Sequence, residues 1–319
     1  MSSAVVRLSV PLPGPLDLAI SLQPLGRSGD DGLDRWDGRL LVRTIRLPSS
    51  GPPVAYVAVP QGSLEEPWLE VKLERPLDAR AASEAIGVTI APDRAAVSAI
   101  EQLAGLDAAV RALKDRYPGL CPVRFPDPFT ALVRSISAQQ VNLRWAAEVR
   151  RRLAQAFGRR HEVGGTVVFS LQPEVLARAS IADLRALQLT TAKARSVIAC
   201  AATAAEGRLE HAELEALDDD EVTARLTTLP GIGRWSAEWF LARTLGRPRV
   251  VAGDLGVRKA VGRMYQAGAL PTEPDVRRMT HHWAAAASLV QALALHDLAE
   301  AETAARTKRN DPPAAPPAG

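Results

Sequence analysis

The segment LPGIGRW, Leu229–Trp235, places a proline and two glycines between two stretches of helix-forming residues. An acid-rich helix is predicted to end before it, and a second helix to begin near Arg234. Gly231 and Gly233 permit backbone angles and a close approach that a side chain would block. The segment therefore predicts a tight turn between two helices. The backbone N–H groups that begin the second helix favour a phosphate, and Arg234 adds a positive charge there.

A plain helix–helix turn would explain the two glycines equally well, so the charge distribution matters. Net charge is only +3, but the segment Arg124–Arg160 contains eight arginines and two acids. The segment Leu229–Arg263 contains seven basic residues and two acids, whereas Glu206–Glu221 contains eight acids. Solvated helix faces can produce such runs. Two basic segments, one of them carrying the glycine turn, favour a polyanionic partner.

Composition is that of a globular protein, with 47% hydrophobic and 24% charged residues. No apolar run approaches the roughly 20 residues of a membrane span, and no secretory signal is visible, so we expect no membrane association. The two cysteines, Cys121 and Cys200, are too few for a disulfide framework or a four-cysteine metal site. They fit a reducing compartment, and we expect a cytoplasmic location.

Sequence patterns change near residue 95, which predicts an α+β protein. Before it, β-rich runs at Leu16–Leu22, Arg39–Leu47, Val54–Val59 and Trp68–Glu74 predict a small antiparallel sheet, residues 1–95. After it, apolar residues recur at spacings of three and four, which predicts an all-α domain over residues 96–302. The remaining residues, 303–319, end in DPPAAPPAG and are expected to be a disordered tail.

Several segments together resemble the helix-hairpin-helix DNA glycosylases, and more closely the DNA-3-methyladenine glycosylase II (AlkA-type) group. They are LPGIGRWSAEWF (Leu229–Phe240), VVAGDLGVRKAV (Val250–Val261), DPFTALVRSISAQQVNLRWAAEVRRRL (Asp127–Leu153), LQPEVLARASIADLRALQLTTAKARSVIACA (Leu171–Ala201) and PLDLAISLQPLGR (Pro15–Arg27). The resemblance is strong between about residues 124 and 265 and weak before residue 95. It implies a β-rich N-terminal domain followed by a helix-hairpin-helix domain, and excision of alkylated purines from duplex DNA in base excision repair.

The resemblance assigns catalysis to Asp254, although an Asp that precedes a helix is more often an N-cap. A fixed carboxylate stabilises the positive charge that develops on the sugar as the base departs, and it orients a water molecule. Trp235 stands where glycosylases with lyase activity carry a Schiff-base lysine, so lyase chemistry is not expected. Trp235 and Trp239 lie one helical turn apart. Either they belong to the core or they form an aromatic wall for flat, cationic bases.

The family's paired glutamines match Gln139, as a substrate contact, and Gln140, as the side chain that fills the gap left by the extruded base. Gly231, Gly233 and Arg234 are expected to contact DNA. The resemblance also implies a structural monovalent cation held by the backbone carbonyls of Thr227, Leu229 and Ile232, with no cofactor required for the reaction. We expect a monomer that binds damaged duplex DNA.

The motif Trp-x-Pro-aromatic-Arg-Ser of the family reads WAAAAS here, Trp283–Ser288. Ala286 replaces the aromatic residue, which is expected to face the flipped base. Its loss predicts a wider pocket and a preference for alkylated purines whose glycosidic bond is already labile. Two other functions stay open: a non-catalytic helix-hairpin-helix DNA-binding protein, which does not need Asp254, and a bifunctional glycosylase/lyase, which Trp235 disfavours.

Overall fold

The computed structural model describes residues 6–47, 51–91 and 93–310, and it opens with a five-stranded antiparallel sheet. Its strands lie in the order β1-β5-β4-β3-β2. Buried and partly exposed residues alternate along the strand Pro67–Leu73, so one face of the sheet lies on the core. The predicted N-terminal sheet is confirmed. The strands are β1 (Val6–Pro11), β2 (Arg35–Trp36), β3 (Leu41–Ile45), β4 (Val54–Gly62) and β5 (Pro67–Leu73).

One predicted strand, Leu16–Leu22, is wrong. This stretch begins the first helix, α1 (Leu18–Arg27), and Asp17 caps it by accepting the Ile20 N–H at 3.0 Å. Leu16, Leu18, Ile20 and Leu22 alternate as in a strand, but with Ala19 included the stretch also has apolar residues three and four apart, so the pattern fits both structures. The aspartate at the N-cap decides for the helix.

The remainder of the described chain is mainly helical, as predicted. Its helices are α2 (Ala79–Val88), α3 (Arg94–Leu106), α4 (Ala108–Arg116), α5 (Pro128–Ala138), α6 (Leu143–Phe157), α7 (Pro173–Leu176), α8 (Ile181–Ala186), α9 (Thr191–Ala205), α10 (His211–Glu215), α11 (Asp219–Thr227), α12 (Arg234–Arg243), α13 (Leu255–Tyr265), α14 (Glu273–Thr280) and α15 (Ala287–Asn310). A 3-10 helix, His281–Ala286, joins α14 to α15. No helix of the described residues is long and apolar enough to cross a membrane.

A β-hairpin interrupts the helices, so the prediction of an all-α second domain needs correction. Its strands are β6 (Gly158–Val163) and β7 (Thr166–Leu171). The turn residues Gly164 and Gly165 both have positive φ, of 58° and 76°. Two adjacent glycines between short β-rich runs are a hairpin signal, and this signal was present in the sequence.

The C-terminal tail is the third difference. Helix α15 continues to Asn310, so residues 303–310 are helical rather than disordered. The segment AETAARTKRN is rich in residues with high helix propensity, which favours continuation of the helix. The proline-rich residues 311–319 lie outside the described part of the chain.

Two large hydrophobic clusters form the core. The first contains buried residues from two parts of the chain, Val10 to Val123 and Val251 to Ala294. It therefore joins the sheet and α1–α4 to α13, the 3-10 helix and α15. The second lies mainly among α5–α12. The predicted boundary at residue 95 falls within the first cluster, and the division into domains stays a prediction. Helix α12 belongs to the second cluster, and the loop that precedes α13 to the first.

A buried ionic network joins the β-rich part to the helices of the second cluster. Asp31 accepts hydrogen bonds from Arg134 at 2.6 Å and from Arg150 at 2.8 Å, and Arg134 also pairs with Asp34. Arg43 of β3 pairs with Asp34. Burial alone would raise the pKa of Asp31, but the charges of Arg134 and Arg150 outweigh it and hold this pKa well below its usual value.

Candidate active site

The segment LPGIG forms the predicted turn between α11 and α12. Gly231 has a φ of 74°, and a Cβ atom there would lie 2.2 Å from the Ser196 hydroxyl oxygen. Ile232 is buried in the second cluster, and its N–H donates to the Leu229 carbonyl at 3.1 Å. The turn therefore requires glycine at position 231 for reasons internal to the protein. The buried Ile232 and the partly buried Leu229 anchor it to the second cluster, while Gly231 and Gly233 stay exposed.

Gly233 is different, because the protein itself does not require a glycine there. It is the N-cap of α12, with φ −105° and ψ −177°, and no side chain caps the helix. A Cβ atom at this position would meet nothing within 4 Å. The Arg234 side chain is 66% exposed, and Glu238 accepts its Nε–H at 3.1 Å. An uncapped helix N-terminus beside an exposed guanidinium is suited to an anion.

Asp254 lies in front of α13 and uses its two carboxylate oxygens differently. Oδ1 caps the helix by accepting the Val257 N–H at 3.0 Å. Oδ2 accepts the indole N–H of Trp235 at 3.1 Å and of Trp239 at 3.4 Å. The N-cap interpretation of Asp254 is therefore correct, but it accounts for one oxygen only. Two tryptophans hold the other oxygen in a fixed orientation.

This arrangement comes from the helical spacing of α12 and from a braced loop. Trp235 and Trp239 are four residues apart, so they share one face of the helix. Both pack partly buried against the first cluster. The loop before α13 is held where the Val251 N–H donates to the buried Gln291 side chain at 2.8 Å and the Asp254 N–H donates to the Val251 carbonyl at 2.9 Å.

Sequence reasoning missed Gln291, which holds the loop before α13, and Glu238, which pairs with Arg234. Glu238 is 4% exposed and accepts hydrogen bonds from Arg234 and, at 2.8 Å, from Arg277. The spacing of four between Arg234 and Glu238 was a readable signal for that pair. Gln291 offered no comparable signal, because its partner lies 40 residues away.

The paired glutamines lie at the end of α5, beside the turn between α11 and α12. The Gln139 side chain donates to the Gly231 carbonyl at 2.9 Å, so it links the two turns. Gln140 is exposed and has a φ of 56°. The structure thus places the predicted gap-filling side chain at the tip of a turn next to the predicted phosphate-binding turn. The substrate contact of Gln139 stays a prediction.

Exposed apolar side chains flank Gln140, and sequence reasoning did not single them out. Val141 is 36% exposed, Leu143 61% and Trp145 37%. The guanidinium of Arg152 lies 5.3 Å from the centre of the Trp145 ring. Leu255, which follows Asp254, is 54% exposed. Exposed apolar residues close together in one segment, as in residues 141–145, are typical of an interaction surface.

Residues 133–286 match the HhH-GPD superfamily of base excision DNA repair proteins. The chain carries an HhH-GPD domain. This domain contains both turns described above, the two tryptophans and Asp254.

Relatives of the chain carry names that agree with this assignment. DNA-3-methyladenine glycosylase 2 of Escherichia coli is 33% identical over 138 residues, which are 43% of this chain and 48% of that protein. A DNA-3-methyladenine glycosylase of Bacillus subtilis is 26% identical over 184 residues, which are 57% of this chain and 61% of that protein. The chain thus spans about half the length of the curated relatives that it matches.

The solved structure of a 3-methyladenine DNA glycosylase from Archaeoglobus fulgidus shows that the fold extends beyond the HhH-GPD domain. It superposes with a TM-score of 0.77 at 24% identity, over 92% of this chain and 98% of that one. The similarity therefore includes the N-terminal sheet as well as the helices. At this level of identity, it shows the fold alone.

The structure corrects the interpretation of Ala286 in the HhH-GPD domain. Ala286 is fully buried in the first cluster, so an aromatic residue at this position would enter the core. Its neighbours Ala284 and Ala285 are exposed, as are His281 and His282 of the same 3-10 helix. Ala284 has φ 42° and ψ −123°, a conformation that costs a residue other than glycine of order 1–3 kcal/mol. The prediction that Ala286 lines the base pocket is wrong.

The cation predicted in the turn between α11 and α12 stays a prediction, as does the absence of a required cofactor. Among the described residues, no group of three or more His, Cys, Asp and Glu side chains is placed to hold a metal ion. That observation concerns side chains and does not test a site built from the carbonyls of Thr227, Leu229 and Ile232. The Leu229 carbonyl already accepts one hydrogen bond, which leaves a second lone pair for a cation.

Proposed function

We propose that the protein is a monofunctional DNA glycosylase that extrudes alkylated purines, such as N3- and N7-alkyl purines, from duplex DNA and hydrolyses their N-glycosidic bond. The observation that carries the proposal is the Asp254 carboxylate, with Oδ2 held by the indole N–H groups of Trp235 and Trp239. A plain N-cap needs only Oδ1. The two hydrogen bonds to Oδ2 fix a negative charge beside two aromatic rings, which is what a departing cationic base and its sugar require.

The chemistry follows from where charge develops. The bond from C1′ to the base nitrogen breaks, its electron pair leaves with the base, and positive charge accumulates on the sugar. Asp254 stabilises that charge and orients the water molecule whose oxygen then bonds to C1′, while a proton of that water passes to the Asp254 carboxylate and from there to solvent. The indole N–H groups hold the carboxylate in place, so little reorganisation is needed during the reaction. Trp235 supplies no amine for an imine, which favours hydrolysis over strand cleavage.

The DNA surface is assigned to the two neighbouring turns. The start of α12 with Gly233 and Arg234 binds a phosphate, and Gln140 enters the duplex in place of the extruded base. Phosphate contacts supply most of the affinity and no sequence preference. We infer that the protein acts as a monomer on damaged duplex DNA. A cytoplasmic location fits the two free, buried cysteines of the described chain.

The test compares Asp254→Asn with the wild type on alkylated duplex DNA, with alkali used to reveal abasic sites. Asparagine caps helices as well as aspartate does, so α13 should persist while the charge is lost. We expect base release to be abolished and binding to remain. The matched control is Asp78→Asn, because Asp78 caps α2 in the same way by accepting the Ala81 N–H at 2.8 Å.

Each competing function predicts a different result. Wild-type protein that binds alkylated DNA without releasing bases would establish a non-catalytic DNA-binding protein. A covalent protein–DNA adduct trapped by borohydride would establish a bifunctional glycosylase/lyase. Wild-type rates in Asp254→Asn would refute the catalytic assignment of Asp254.

A further inference from the structure

Lys193 occupies a position where a lysine is unfavourable. It lies in the first turn of α9, where the Thr190 hydroxyl caps the helix by accepting the Lys193 N–H at 3.2 Å. The N-terminus of a helix carries partial positive charge, so it favours acids and disfavours cations. The first turn of α9 contains no acid to offset the lysine. A residue that opposes its local environment needs a reason elsewhere in the structure.

That reason lies at the C-terminal end of α5. The Lys193 amine donates to the carbonyls of Ser137 at 3.0 Å and Gln139 at 2.7 Å, where α5 ends. The last carbonyls of a helix have no partner within it, and they carry partial negative charge. Partial burial lowers the pKa of Lys193, so the protein places this amine there at a cost in solvation. Lys193 thus caps α5 from outside.

The cap acts directly on the backbone of Gln140. The Gln139 carbonyl belongs to the peptide plane that joins Gln139 to Gln140, and a hydrogen bond to this oxygen restrains the plane. Gln140 follows with a φ of 56°, in the left-handed region, which costs a non-glycine residue roughly 1–2 kcal/mol. Such a conformation persists only where its surroundings enforce it.

The same turn is held from its other side. The Gln139 side chain donates to the Gly231 carbonyl, so the turn at Gln139–Gln140 is attached to the turn between α11 and α12 as well as to α9. Gln140 itself is exposed at the tip. Lys193 and Gly231 thus both form hydrogen bonds with Gln139, whereas the next side chain, that of Gln140, stays exposed.

We propose that Lys193 is a positioning residue that holds the Gln139–Gln140 peptide so that Gln140 enters the duplex when a base is extruded. The proposal rests on the proposed function, in which Gln140 fills that gap. Lys193 acts through the backbone of α5 and does not touch the reacting atoms. Two other roles are the alternatives that the experiment separates: a direct phosphate contact, and a contribution to folding alone.

The experiment measures dissociation constants for two duplexes of the same sequence at one salt concentration, one intact and one with a tetrahydrofuran abasic-site analogue. Their ratio reports gap filling, because phosphate contacts are common to both. We expect Lys193→Met and Gln140→Ala each to reduce the wild-type preference for the abasic duplex by about tenfold, with the double variant no worse than either alone. Lys193→Arg, which keeps charge and donors, should recover most of the preference.

Thr190→Ala is the matched control, because it removes the N-cap of α9 and leaves the carbonyls at the end of α5 untouched. We expect it to lower the melting temperature while the preference for the abasic duplex stays at the wild-type value. If Lys193→Met folds poorly, Lys193→Gln, whose amide can still donate one hydrogen bond, should retain an intermediate preference.

Three results would overturn the proposal. Equal losses of affinity for both duplexes, with a weaker salt dependence, would make Lys193 a phosphate contact. Losses that add in the double variant would make Lys193 and Gln140 independent. An unchanged preference in Lys193→Met would remove any positioning role. Wild-type protein that does not prefer the abasic duplex would instead refute the proposed function on which the inference rests.

Discussion

Gly231 and Gly233, in the turn between α11 and α12, allow a methyl group to be added at two nearby positions with different expected effects. At position 231 the methyl meets the protein. At position 233 it meets only the space in front of α12, where we place a phosphate. Gly231→Ala should therefore reduce stability, and Gly233→Ala should reduce DNA affinity with stability nearly unchanged.

The magnitudes follow from the local geometry. At Gly231, with φ 74°, alanine pays roughly 1–2 kcal/mol for the left-handed conformation. It also displaces the Ser196 hydroxyl, whose hydrogen bond to the Ala192 carbonyl at 3.0 Å is worth about 1 kcal/mol. The free energy of unfolding should fall by about 2–3 kcal/mol.

At Gly233, the extended backbone accepts alanine. The weaker N-cap costs about 0.5–1 kcal/mol, and reduced entropy of the unfolded chain offsets about as much. Loss of a phosphate at an uncapped helix N-terminus costs about 1–2 kcal/mol, which is about 5- to 30-fold in the dissociation constant.

The assay combines urea unfolding with binding to duplexes of several sequences over a range of salt concentrations. Gly233→Ala should weaken binding to every sequence alike and reduce the slope of log K against log salt by about one. Gly105→Ala is the matched control, because its Cβ atom also meets nothing within 4 Å. It lies in α3 and should gain about 0.5–1 kcal/mol of stability with no change in binding. Wild-type affinity in Gly233→Ala, or a loss confined to some sequences, would refute the phosphate site.

Three further predictions concern stability. Ala284→Gly should raise the free energy of unfolding by about 1 kcal/mol, because glycine tolerates φ 42° and ψ −123°; calorimetry showing no gain would contradict the strain. Ala286→Trp should lower the free energy of unfolding by about 1–3 kcal/mol, because position 286 is fully buried. A stable variant with tighter binding to a flipped-base analogue would restore the pocket assignment. Asp31→Asn should cost about 3–5 kcal/mol at neutral pH, because Arg134 and Arg150 lose a buried partner. The pKa of Asp31 is lowered by folding, so its contribution is present above about pH 4 and is lost in acid, and the difference from wild type should shrink there; a difference independent of pH would contradict this.

Much of the architecture was readable because its signals are local. The turn at Leu229–Trp235, the helices Leu143–Phe157 and Asp219–Thr227 and the three strands near β3, β4 and β5 depend on residues within a few positions of one another. Periodicity, glycines and N-caps act over that range. The error at Leu16–Leu22 arose where two periods fitted one short stretch, and the hairpin at Gly164–Gly165 was a local signal that was overlooked.

The candidate site depended on the sequence for its members and on the tertiary structure for their roles. The residues themselves identified Asp254, Trp235, Trp239 and the paired glutamines by their resemblance to a family. The sequence could not show that both indole N–H groups converge on one oxygen of Asp254, because helical spacing aligns the tryptophans but does not place α12 against the loop before α13.

Other contacts join residues still further apart. Gln139 meets Gly231 across 92 positions, and Lys193 meets Gln139 across 54. The burial of Ala286 likewise depends on how the 3-10 helix packs into the first cluster. Local chemistry thus determined which helices, caps and turns form. The packing of two hydrophobic cores decided which side chains meet, because contacts between distant residues exist only after those cores have brought their elements together.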